Sequence, residues 1–320
     1  MPIEILLLLA LPASGKSEVR RYLESLDPET ALNDLRLRPT VQLDDYDYVH
    51  MMRRISEETR TAGDEPPFFR SGDEPFLDPR DWLTLVHLLN FDYADLTERG
   101  PDLGAGNAAR WLFDRIDRAR REVGLPEVLG SLAPLTRERL ESALEVEAQR
   151  VFDERQVTAT GSLEDRTVII ELARGGPEGS SYPLPSPYGY QHSLQHLATE
   201  ILEKARIMYI WVEPDESRRK NLERAVPGRE GDASILNHGV PEAVMRREYG
   251  TDDLMWLLAA GGGSYVFADK DGRQYGLPTG VFDNRSDMTS FLRADPEEWS
   301  QFKVRRLHEE LVNATAGFRV

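Results

Sequence analysis

The first stretch of the chain, Ile3–Leu9, is apolar except for Glu4 and lacks the polar alternation of a half-exposed strand. It predicts a strand buried on both faces. In Ser17–Leu26 the apolar positions are Val19, Tyr22, Leu23 and Leu26, the i, i+3, i+4, i+7 spacing of one helix face. A short second strand is expected to end at Leu43. Residues 61–79 carry several Pro and Gly and read as loop.

A helical block follows. Asp78-Pro79 has the cap-then-proline signature of a helix start. Trp82, Leu85, Val86, Leu89, Tyr93 and Leu96 form one apolar stripe, and Leu112, Ile116, Ala119 and Val123 a second. Thr136 is the expected cap of a third helix carrying Leu140, Leu144, Val151 and Phe152. Such stripes are first of all packing surfaces.

Strand character returns at Arg166–Leu172 and Ile207–Val212. A Gly/Pro/Tyr-rich loop and a helix from about Ser193 to Lys204 are expected between them. The highly charged "DESRRKNLERA" predicts a helix, and Val226–Val240 a polar loop. Tyr265–Ala268 and Gly280–Phe282 read as late strands, with a last helix starting at Asp295-Pro296. Apolar strands alternating with helices predict an α/β fold of three layers, a mostly parallel sheet covered on both faces. The expected organisation is one domain over residues 1–320 with a helical insertion at 60–160.

Composition narrows the class. The chain has 39 basic and 56 acidic residues, a net charge of −17, and no cysteine. That charge disfavours a broad nucleic-acid or anionic-membrane surface. The lack of cysteine excludes disulfides, thiolate metal sites and cysteine nucleophiles, and fits a reducing, cytoplasmic setting. Met1-Pro2-Ile3-Glu4 carries a carboxylate and no Lys or Arg, which argues against a secretory signal. No stretch reaches the about 18 apolar residues of a membrane span. His192 and His196 are four apart but lack a third ligand at helical spacing, and a zinc site needs three or four. There is no G-x-S-x-G of a serine hydrolase.

Between the first strand and first helix lies Ala10-Leu11-Pro12-Ala13-Ser14-Gly15-Lys16-Ser17. It matches G-x-x-x-x-G-K-[ST] except that Ala10 stands at the first glycine. A loop that wraps a polyphosphate aims successive backbone N–H groups inward, and the following helix adds its positive end. Pro12, Ala13, Ser14, Gly15, Lys16 and Ser17 are therefore the expected nucleotide cradle. Lys16 would reach the β- and γ-phosphates and Ser17 would bind Mg²⁺.

On these residues the chain resembles the kinase branch of the P-loop NTPases: small-molecule, nucleoside and nucleotide kinases, with zeta-toxin-type relatives. The resemblance covers Met1–Tyr48 and, more loosely, Arg166 to about Asp287; it does not cover residues 80–155. It implies ATP and Mg²⁺ as cofactors and a small-molecule acceptor as partner. Uridine-kinase-like and polynucleotide-kinase-like enzymes end their second strand in an Asp-Asp-aromatic run similar to Asp44-Asp45-Tyr46. That similarity implies Asp44 as the base, Asp45 as a metal or substrate contact and Tyr46 as a substrate contact.

In "TVIIELARGG", Glu171 sits where open parallel sheets bind ligands and would hold Mg²⁺; Arg174 would hold substrate or phosphate. The resemblance further implies lid arginines, with Arg219 and Arg229 as the choices among Arg218, Arg219, Arg224, Arg229, Arg246 and Arg247. It implies a place near the adenine for Asp283-Asn284, although Arg285 intervenes before Ser286. Tyr188, with Tyr182 and Tyr190, is expected to line the acceptor site. Two alternatives to a small-molecule kinase are an NTP-hydrolysing or NTP-sensing regulator that binds a partner through the helical block, and a toxin-like kinase.

Overall fold

The computed structural model describes residues 1–98, 100–104, 106–159, 163–224, 239–261 and 265–318. Five strands form one wholly parallel sheet: β1 (Ile5–Leu9), β2 (Thr40–Asp44), β3 (Thr167–Leu172), β4 (Ala205–Trp211) and β7 (Thr279–Asp283), in the order β2-β3-β1-β4-β7. β1 and β3 are buried along their whole length, as unbroken apolar runs in a parallel sheet require.

Strand alternation sorts the core into layers. Ile5, Leu7 and Leu9 face a helical layer made by α4 (Asp81–Glu98), α7 (Gly189–Gln195), α8 (Thr199–Leu202) and α11 (Leu254–Ala260). Leu6 and Leu8 face the opposite layer, made by α1 (Lys16–Ser25), α2 (Pro28–Leu35) and α12 (Gln301–Ala316). The protein is thus a three-layer α/β fold. An antiparallel hairpin of β5 (Tyr265–Ala268) and β6 (Gln274–Leu277) adds aromatic residues to the first layer. Among the described residues no helix is long and apolar enough to cross a membrane.

Between β2 and β3 the chain builds α3 (Tyr46–Thr61), α4, α5 (Ala108–Glu122) and α6 (Pro134–Thr158). Their core is separate from the sheet's and includes Met51, Met52, Ile55, Leu112, Phe113, Leu140 and Leu144. α4 serves both: Val86 and Leu89 pack on the sheet, Leu85 and Leu88 on the other helices. A buried polar network ties the four helices together. Tyr48 Oη donates to Asp92 at 2.5 Å, and Arg115 donates to Asp92 at 2.8 Å and to Tyr48 Oη at 3.1 Å. Arg155 pairs with Asp47 at 2.7 Å and lies 3.5 Å from Asp92. Buried charges persist only when paired in this way. The network fixes the first turn of α3, which follows directly on Asp44-Asp45.

Several boundaries differ from the sequence reading. The helical block starts at Tyr46 rather than near residue 60, because α3 precedes the expected stripes. α6 begins at Pro134 after Ala133, so Thr136 lies inside its first turn instead of capping it. The helix expected at Ser193–Lys204 is two short ones, interrupted at 196–198. Asp295-Pro296 opens a single 3₁₀ turn, and α12 starts only after Ser300. β6 and α2 are further additions. α2 buries only Leu35, so it has no apolar stripe to reveal it. The loop expected at Val226–Val240 lies, up to residue 238, outside the described residues.

Candidate functional site

Because the sheet is parallel, the loops after β1, β2, β3, β4 and β7 all leave its carboxyl rim, the side on which open α/β sheets take ligands. Residues 10–15 join β1 to α1 as a tight turn. Ala13 has φ 55° and Gly15 φ 104°, so this backbone leaves the region most residues prefer. Gly15 also has no room for a side chain. A Cβ there would lie 2.4 Å from Thr289 Oγ1 and 2.8 Å from Asn284 Nδ2. Lys16 is the first residue of α1 and donates from Nζ to the Ala10 carbonyl at 3.2 Å.

The loop is braced from below. Asn284, fully buried, donates to the Ser14 carbonyl at 2.7 Å and to Thr289 Oγ1 at 2.9 Å. The Ser14 hydroxyl donates to the Leu11 carbonyl. From α9 (Pro214–Arg224), the buried Ser217 donates to the Pro12 carbonyl at 2.6 Å. Four residues on, Asn221 exchanges hydrogen bonds with the Val240 backbone at 2.6 and 2.8 Å. Buried Lys220 pairs with Asp287 at 2.8 Å.

A cavity of about 360 Å³ opens in front of the loop, within the size range of small-molecule sites. Pro12, Ala13, Ser14, Lys16 and Ser17 line one part of it, and Asp44, Asp45, Tyr46 and Glu171 another. Asp44 and Glu171 are direct neighbours in the β2/β3 register. Burial pushes the Asp44 carboxyl up to about 7, and the negative charges of Asp47 and Glu171 add to the effect, with Arg155 opposing. Its Oδ1 accepts the Tyr46 N–H at 3.0 Å. Asp44 also borders a second cavity, of about 400 Å³, whose wall includes Asp47, Asp92, Asp95, Asp153 and Glu154.

The two other carboxylates at the loop have cationic partners: Glu171 pairs with Arg20 at 3.3 Å and Asp45 with buried Arg174 at 2.7 Å. Among the described residues no group of three or more His, Asp or Glu is gathered at metal-holding distance. Magnesium does not need such a group, since it keeps most of its waters and uses one or two carboxylates plus substrate phosphates. Ser17, Asp45 and Glu171 around one cavity are a donor set of that kind.

The expected site residues do not all meet at this cavity. Lys16, Ser17, Asp44, Asp45, Tyr46 and Glu171 meet at the cavity with the loop. Asn284 is buried with its amide committed to Ser14 and Thr289, so it supports the loop from beneath rather than facing the cavity. Arg174 is buried over the Trp82 ring, its centre 5.0 Å away, and pairs with Asp45. Arg219 points outward from α9 to Glu216 and Glu223 and does not line the cavity. Neither does Tyr188, at the start of α7, whose phenol burial pushes up from its ordinary value. Tyr190 is a core residue with a bond to the Leu172 carbonyl at 3.4 Å. Arg229 lies outside the described residues.

Sequence reasoning missed the rest of the wall: Val49, His50 and Arg53 of α3, Phe76 and Trp82 beyond it, and Glu248 and Tyr249 at the end of α10 (Glu242–Glu248). It also missed Ser217 and Asn221, whose inward face on α9 is polar and so gives no hydrophobic periodicity. Comparison with protein-family models, with curated proteins and with solved structures found no match to this chain.

Proposed function

We propose that the protein transfers the γ-phosphoryl group of ATP to a small-molecule acceptor. The observation that carries this reading is the convergence, on one cavity at the carboxyl rim, of a glycine-and-lysine turn opening a helix and a carboxyl of raised proton affinity, Asp44. A turn of this kind suits polyphosphate because its amides and the helix start attract anions at no cost in reorganisation. In this reading Lys16 leaves the Ala10 carbonyl for the phosphates.

Ser17, Asp45 and Glu171 would hold Mg²⁺, which supplies charge neutralisation to the phosphates. Both carboxylates can keep their arginine partners and reach the ion through its waters. Asp44 accepts the proton of the attacking hydroxyl as the new O–P bond forms and the bond to the ADP oxygen breaks. Asn284 and Ser217 hold the Ser14 and Pro12 carbonyls, which in this reading leaves the loop amides to the phosphates.

Asp44 must be deprotonated to act. It loses its proton as pH rises through about 7. The account therefore expects kcat/KM for the acceptor to rise about tenfold per pH unit below that value and to level off above it. Radioactive transfer from labelled ATP across a panel of sugars, nucleosides and nucleotides, at pH values on either side of neutrality, checks this. A flat profile, or a rate that falls with pH, contradicts the role given to Asp44.

A further inference from the structure

The cavity continues past the nucleotide loop into a wall that the phosphoryl donor does not need. Phe76, Trp82 and Tyr249 form a chain of edge-to-face rings, with centroids 5.1 and 5.4 Å apart and planes at 87° and 71°. Beside them is Glu248, only 3 % exposed. Its Oε1 accepts the Phe76 N–H at 3.1 Å, while its Oε2 accepts no hydrogen bond. The Trp82 indole N–H is near enough to ease the carboxyl's charge, but it too is buried without reaching hydrogen-bond geometry. Among the described residues Glu248 has no ion-pair partner within 4 Å, the guanidinium groups of Arg53 and Arg174 lying farther off.

A buried carboxyl oxygen without a donor in full hydrogen-bond geometry is costly, and one that lines a cavity has room to take a donor from a ligand. The charge of the lining narrows the ligand further. Among the described residues that line the cavity, the Lys and Arg cations are Lys16 and Arg53. Lys16 is assigned to the donor's phosphates. Arg53 donates to the Gly72 carbonyl at 2.6 Å and the Glu74 carbonyl at 3.3 Å, with its guanidinium 4.0 Å over the Phe69 ring. Against these stand Asp44, Asp45, Glu171 and Glu248. A phosphorylated acceptor would add charge of the same sign as these carboxylates, and among the described lining only Arg53, with its Nη1 already bound to two carbonyls, is left to meet it.

We propose, resting on the phosphotransferase reading above, that the acceptor is a ring-bearing alcohol without phosphate or carboxylate groups, and that Glu248 selects it by accepting a hydrogen bond from an N–H or O–H on the ring. The ring lies against Trp82 and Tyr249, and the alcohol oxygen is presented to Asp44. The reaction is then alcohol plus ATP to phosphate monoester, ADP and a proton. Burial pushes the Glu248 carboxyl up to about 7, so the ionised form, the stronger acceptor, gains as pH rises through neutrality.

The test uses the full-length protein and γ-labelled ATP. A cell extract is split by anion exchange into an unbound pool and a retained pool of phosphorylated and carboxylated metabolites. The acceptor is expected in the unbound pool. For the acceptor purified from it, Glu248→Gln should raise KM about tenfold or more while leaving KM for ATP and the thermal midpoint near wild type. Label appearing only with the retained pool, or in neither pool, overturns the proposal, as does an unchanged acceptor KM in Glu248→Gln. The pool assay needs no variant, so misfolding of Glu248→Gln would not leave the question open. Direct ATP titration separates the two levels of the account. With ATP bound and the acceptor in the wrong pool, only the acceptor assignment fails; with no ATP binding, the phosphotransferase reading itself fails.

Discussion

Asp44→Asn is expected to lower acceptor-dependent phosphoryl transfer by about 10²- to 10⁴-fold, the range lost when a positioned base is removed. ATP affinity should change by less than about threefold, because the nucleotide cradle is built from residues 12–17 and not from β2. The substitution keeps the Oδ1 that accepts the Tyr46 N–H, so the start of α3 retains its bond. It also removes one negative charge from a group that includes Asp45, Asp47 and Glu171, all of which raise the proton affinity of Asp44. Relief of that repulsion means the variant should melt no lower than wild type. Loss of turnover with intact folding and nucleotide binding is a result that a merely structural Asp44 would not give. Steady-state transfer kinetics, ATP titration and a melting curve on the same preparation check it.

Gly15→Ala should damage both folding and binding. The new Cβ would meet Thr289 Oγ1 at 2.4 Å and Asn284 Nδ2 at 2.8 Å, at a residue whose φ of 104° L side chains rarely adopt. Left-handed strain costs about 1–2 kcal/mol and overpacking of a filled site about 1–3 kcal/mol. A total of about 2–5 kcal/mol should show as a clear drop in denaturation midpoint. Relaxation would push Asn284 off the Ser14 carbonyl, now 2.7 Å away, and so turn the loop's peptide groups. ATP affinity should therefore fall by about a hundredfold or more. Adding Thr289→Ala removes the nearest clash but not the backbone strain. The double variant should regain part of the stability lost in Gly15→Ala, and denaturant titration of the wild type, both single variants and the double variant measures that coupling.

The parallel sheet was legible because its strands are apolar runs. The unbroken Ile5–Leu9 of β1 and the "TVII" of β3 have no polar alternation to confuse them with surface strands. The turn at 10–17 was legible because its spacing of glycine, lysine and serine is set by backbone geometry. α3 was also written in the chain: Tyr48, Met51, Met52 and Ile55 have helical spacing and are all buried. The polar Asp44-Asp45 pair directly before it hides where that periodicity begins. The lid arginines show the reverse difficulty. On α9 the buried face is Ser217, Lys220 and Asn221, while Arg219 faces Glu216 and Glu223 in solvent. A helix that buries polar groups has no hydrophobic stripe, so its inward face cannot be read from pattern alone. Glu248 and Trp82 were illegible for another reason. They stand 166 positions apart in sequence and meet only once α10 and the helical block have packed.

The central claim is that the turn between β1 and α1 holds a nucleotide's polyphosphate with the help of Lys16. Calorimetric titration of the full-length protein with Mg·ATP, run beside Lys16→Ala, tests it most directly. The account predicts saturable one-to-one binding by the wild type, weakened at least about tenfold in Lys16→Ala, with a circular dichroism spectrum and a cooperative melt showing that the variant is folded. Absence of saturable binding, or equal affinity in the two proteins, would contradict it.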